Sequence, residues 1–150
     1  MRNAAFISLL VLLAPTPMAV ATQPIFIKRD WSGYVLPEWV RHRTCEGSSE
    51  KVVITTTYGA NEDLKYNTTE EIKVATSPSI SNVLRRAATE PVTETPNMIC
   101  DLPGSNIILF VGGDEITLLA SGGCGDPKKE RNGPASRMLL EMIIGYCGAD

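Results

Sequence analysis

Arg2, an almost unbroken apolar run over 6–14 and the small-residue exit Ala19-Val20-Ala21 open this chain. A positive end, a short apolar middle and an A-x-A exit make a secretory signal peptide. The run is too short to cross a hydrocarbon core of about 30 Å as a helix. No later segment is apolar enough to try, so no membrane insertion is expected after cleavage. No cysteine follows the cut, which argues against a lipid anchor, and the expected location is periplasmic or secreted. The consequence for folding is twofold. Removing 21 of the 150 residues leaves 129, enough for one domain and too few for two. Export also places all four cysteines, Cys45, Cys100, Cys124 and Cys147, where disulfides form and persist. The organisation read from this is a signal peptide at 1–21, an aromatic-containing arm at 22–50 and a single α+β domain at 51–150.

Two bridges are the expected use of four cysteines. Zinc is the competing use, but no C-x-x-C pair occurs and the sole histidine, His42, has no partner at ligand spacing. No metal and no other cofactor is expected. Nucleic acid is excluded by charge. Removing Arg2 from the 14 basic residues leaves 13 against 17 acidic ones, whereas phosphate binding needs a basic face that releases counterions. The short clusters Arg41-His42-Arg43, Arg85-Arg86 and Lys128-Lys129 with Arg131 read as solvated surface. An anionic-ligand patch would need the fold to bring two of them together.

Along the arm, Pro24 and Pro37 break any helix while Trp31, Tyr34 and Trp39 recur. The spacing predicts an extended or irregular segment whose tryptophans pack on the main domain, with at least one of Trp31 and Trp39 mostly buried; an exposed aromatic patch for a carbohydrate or partner is the alternative. KVVITTTY, Lys51 to Tyr58, is β-branched and reads as a strand. A turn over 59–63 leads to a second arm over 64–74, expected to bend or split at Asn67-Thr68-Thr69. Asn67-x-Thr69 also matches a glycosylation acceptor, which means nothing if the chain is bacterial. Ser77 is the expected cap and Pro78 the expected first-turn residue of a helix that puts Ile80, Val83, Leu84 and Ala87 on one face. Pro91 limits it, and the stretch to Pro103 reads as loop.

NIILFV over 106–111 and EITLLA over 115–120, joined through Gly112-Gly113-Asp114, predict a tight hairpin at the centre of the sheet. Residues 121–133 read as a polar, glycine-rich connection. Met138, Leu139, Met142, Ile143 and Tyr146 then recur at helical spacing from about Pro134, with Gly145 and Gly148 weakening and ending the helix. Hairpin, helix, hairpin, helix gives the expected fold: an α+β domain with an antiparallel four-stranded sheet, both helices on one face, stapled by two disulfides. Cys100 and Cys124 lie at nearly matched distances from the Gly113 turn and are the expected first pair. Cys45, just before the first strand, then pairs with Cys147 by elimination.

The stretches 52–66, 79–88, Cys100-Asp101-Leu102-Pro103, 107–120, Gly122-Gly123-Cys124-Gly125 and 134–144 resemble those of a family of small exported bacterial domains of unknown function. The likeness covers about two thirds of the chain beyond residue 21 and leaves out the tryptophan-bearing arm. It implies the same hairpin-helix-hairpin-helix order and brings no assigned activity.

Candidate chemistry is sparse. His42 between two arginines has the composition of a general base, although a lone histidine in such a segment reads first as surface. Asp101 before Leu102-Pro103 suits a turn-capping side chain. Asp114 and Glu115 belong at a solvated hairpin tip, and Gly122-Gly123-Cys124-Gly125 lacks the Lys and Ser/Thr of a phosphate loop. No catalytic residue is assigned. Trp31, Tyr34, Trp39, Arg41, His42 and Arg43 are the candidate binding residues. The expected function is an exported, non-enzymatic binding or interaction domain, inhibitor- or immunity-like, with an unknown protein or envelope component as partner. The alternatives are a small secreted hydrolase using Asp/Glu with His42, and a structural envelope component.

Overall fold

A computed structural model describes residues 24–32, 36, 39–59, 66–74, 79–97, 103–122 and 125–148. Their elements are, in chain order, β1 (Phe26–Trp31), β2 (Arg41–Gly47), β3 (Lys51–Tyr58), β4 (Tyr66–Lys73), α1 (Ile80–Thr89), β5 (Val92–Thr95), β6 (Gly104–Val111), β7 (Asp114–Ser121), β8 (Lys128–Arg131) and α2 (Pro134–Cys147). The strands form one eight-stranded sheet in the order β4-β3-β2-β1-β6-β7-β8-β5. Every pairing is antiparallel. A four-strand meander, β1 to β4, and a three-strand meander, β6 to β8, thus run outward from a central β1–β6 seam, with β5 added at the edge beyond β8.

This sheet corrects the expectation of four strands. Both predicted hairpins are present, β3–β4 and β6–β7, and Gly112 and Gly113 make the second turn with φ of 64° and 97°, a backbone that suits glycine. The four additional strands come from segments read as irregular. β1 hides its alternation because two of its three inward residues are charged: Phe26, Lys28 and Asp30 are buried. β2 likewise turns Arg41, Arg43 and Cys45 to one side. β5 (VTET) and β8 (KKER) carry no apolar stripe because they lie at the sheet margin, where strands need not bury one. Nor does the second arm of the first hairpin split. β4 stays in register from Lys73 opposite Lys51 to Tyr66 opposite Tyr58, since an edge strand tolerates Asn67-Thr68-Thr69.

One face of the sheet carries both helices. α1 lies over β6 and β7, α2 over β3, and the two pack on each other. Between them and the sheet sit Phe26, Val52, Ile54, Leu84, Ala87, Ile107, Leu109, Leu118, Leu139 and Ile143, each buried large side chain contributing about 1.5–3 kcal/mol. Leu118 is an extra residue in β7, opposite the step from Ile107 to Ile108, and this bulge sends a further side chain inward. α1 begins after Ser79, which makes no side-chain capping bond; Ser77 and Pro78 lie outside the described residues. No helix among the described residues is long and apolar enough to cross a membrane.

Cys45 and Cys147 are bridged, with Cα atoms 5.8 Å apart. The pairing is the expected one, but its place is not: Cys45 stands inside β2, between Lys28 of β1 and Ile54 of β3, rather than ahead of the first strand. It is the one bridge among the described residues. The expected second bridge, Cys100–Cys124, lies outside them, as do Tyr34 and Asp101.

Candidate functional site

On the helix-covered face, one cross-strand row is polar from end to end. Register places Ser121 opposite Ser105, Ser105 opposite Asp30, Asp30 opposite Arg43, Arg43 opposite Thr56, and Thr56 opposite Thr68. The middle of the row is sealed. Lys28 donates to the Asp30 carboxylate, both side chains being nearly inaccessible, and Ser105 Oγ donates to the other Asp30 oxygen at 2.7 Å. A buried charge persists only when paired and hydrogen-bonded, and here both conditions are met.

Beyond the reach of the helices the same face opens. A groove of about 320 Å³ is lined by Arg41, Arg43, Ile54, Thr56, Tyr58, Thr68, Thr69 and Glu70. Three rows build its floor: Arg41–Tyr58–Tyr66, Arg43–Thr56–Thr68 and Cys45–Ile54–Glu70. The arginines lie along its β2 side and Glu70 on its β4 side. Tyr58 and Tyr66 stack with ring centroids 4.6 Å apart and planes at 11°, and Tyr66 is 59% exposed. The Arg43 guanidinium reaches the C-terminal end of α2; a Cβ at Gly148 would stand 3.1 Å from its Nη1. Among the described residues neither Arg41 nor Arg43 forms a side-chain ion pair or hydrogen bond; the ion pairs there are Lys28–Asp30, Lys51–Glu71, Lys128–Glu130 and Lys129–Glu94.

The candidate binding residues are therefore divided. Arg41 and Arg43 line the groove, but His42, one residue out of phase, faces the opposite side of the sheet in the row Trp31–His42–Thr57–Asn67. Trp31 is docked on that opposite face: its indole covers Gly104, where a Cβ would come within 2.0 Å of the ring, so only glycine admits it. Trp39 is 68% exposed, and Leu36 beside it 54%. The expectation that one tryptophan packs is met by Trp31, which stands in a paired strand of the sheet. The other basic clusters do not join Arg41 and Arg43. Lys128 and Lys129 are answered by Glu130 and Glu94 at 2.8 and 3.2 Å, and Arg131 holds the carbonyls of Ala88 and Glu90.

Tyr58, Tyr66, Thr56, Thr68 and Glu70 were not candidates from sequence. Their signal was present: YNTTEEIK carries no apolar stripe until Ile72, which marks a strand whose inner face no described element covers. Among the described residues no three His, Cys, Asp or Glu side chains gather to hold a metal. Comparison with family models, with curated proteins and with solved structures finds no match to any of them.

Proposed function

We propose that the protein is an exported binding domain without catalytic activity, and that it recognises a protein or envelope component through the β2–β3–β4 groove. One observation carries this reading: among the described residues the groove gathers two guanidinium groups without a side-chain partner, hydroxyls and an aromatic wall around the Glu70 carboxylate, with no histidine or further carboxylate in that lining. Binding needs a few convergent polar groups in a concavity. Acid–base chemistry needs a partner for Glu70 that exchanges protons, and arginine does not. The hydrolase alternative requires His42 and a carboxylate in one concavity, and His42 stands on the far face. The Cys45–Cys147 bridge is compatible with export.

The test is a comparison of the immobilised protein with its Arg41→Gln/Arg43→Gln variant on native envelope extract, read by mass spectrometry. A component retained by the wild type and lost from the variant, at equal thermal stability, supports the reading. Equal retention by both overturns it, as does turnover of an ester, peptide or glycoside that Glu70→Gln abolishes.

A further inference from the structure

We infer that the groove is built for a carboxylate-bearing sugar ring, the repeating unit of an acidic polysaccharide. The inference rests on the binding reading above and narrows its partner to one chemical class. The anion is the first requirement. Arg41 and Arg43 are alternate residues of β2, so their Cα atoms stand about 6.7 Å apart on one face, and neither has an acidic partner among the described residues. A guanidinium without a partner among the described residues, on a half-buried residue such as Arg43, is a site for an oxyanion, which it meets with paired N–H donors.

The charge of that anion is limited from two sides. Arg43 lies against the C-terminal end of α2, whose partial negative charge offsets part of its own. Glu70 closes the opposite side of the groove. Both features disfavour a doubly charged phosphate and tolerate a carboxylate. The rest of the lining asks for hydroxyls and a flat apolar face. Thr56 and Thr68 offer hydroxyls in the row beside Arg43, Glu70 is an acceptor for ligand O–H groups, and Tyr58 with the exposed Tyr66 supplies an aromatic wall against which the C–H face of a sugar rests. A volume of about 320 Å³ lies at the small end of ligand sites, room for one or two rings rather than a folded partner.

Isothermal titration of the protein, purified with its Cys45–Cys147 bridge intact, against trigalacturonate tests this. The probes are its methyl-esterified form, inorganic phosphate and glycylglycine. Trigalacturonate is expected to bind and to weaken with added salt. Its neutral ester should bind at least about tenfold more weakly, as should trigalacturonate to Arg43→Gln, since a charge-assisted contact is worth a decade or more. Tyr66→Ala should lose severalfold at unchanged melting temperature. Equal affinity for acid and ester, or tighter binding of phosphate or of the dipeptide, overturns the sugar-acid inference. The two proposals fail separately. If trigalacturonate does not bind but the envelope component still needs Arg41 and Arg43, only the ligand class is wrong; if that component ignores both arginines, the binding reading falls with it.

Discussion

Lys28 and Asp30 are two charges inside a layer whose other buried side chains are apolar or hydroxyl-bearing, and each is admitted by the other. Lys28 stands between Cys45 and Ile107 in register, 2% exposed, and donates to Asp30, whose second oxygen takes the Ser105 hydroxyl. Removing one member of such a pair leaves the other desolvated and unanswered, which costs about 3–5 kcal/mol. Lys28→Met should therefore lower the urea-unfolding free energy by about that amount, although the new side chain is apolar and of similar length. A loss below about 1 kcal/mol would mean that Asp30 reaches water in the folded state. The same pair explains why β1 was illegible: alternation read from apolar residues alone cannot register a strand whose inward positions are lysine and aspartate.

α2 illustrates how an element is completed from outside itself. Its N-cap is Gly133, which has no side chain to accept from the first-turn N–H groups. Glu90, just past the end of α1, takes that role: its carboxylate accepts from Ala135 N at 2.9 Å and Ser136 N at 2.8 Å, while Arg131 fastens the Ala88 and Glu90 carbonyls. Removal from water pushes this carboxyl upward, but the backbone N–H groups of Ala135 and Ser136 and nearby Arg86 outweigh it and hold its pKa below 4.5. A lowered folded-state pKa gives stability that is complete above the unfolded value and lost as pH falls through the lowered one. Glu90→Ala should cost about 1–2 kcal/mol at pH 7, the scale of a lost N-cap. That difference should shrink as denaturation is repeated at successively lower pH below 4.5; a difference independent of pH would show that the carboxylate charge is not what holds the helix. Sequence could locate α2 through its local apolar period, yet nothing local joins Glu90 to a helix start more than forty residues on.

Across the whole molecule, the Cys45–Cys147 bridge ties an interior strand of one meander to the last helical residue, a separation of 102 residues. For a loop of that length the chain-entropy model gives roughly 4–5 kcal/mol. Cys45→Ala/Cys147→Ala should lower the unfolding free energy by about 3–5 kcal/mol in urea, with α2 the first element to lose amide-exchange protection. Uniform loss across all elements would place the bridge's effect in the unfolded chain alone. β3, β6, β7 and α2 follow from the sequence by itself, because a β-branched run, a two-glycine turn between apolar arms and a 3.6-residue stripe are short-range signals that the chain carries wherever it packs. The groove was decided only by tertiary structure. Alternation assigns Arg41 and Arg43 to one face of β2 and His42 to the other once β2 is known to be a strand. Antiparallel register alone brings Thr56, Thr68, Tyr58 and Glu70 beside the arginines, and the reach of α2 alone leaves that part of the face open. These are distances between residues far apart in the chain, and no local pattern encodes them.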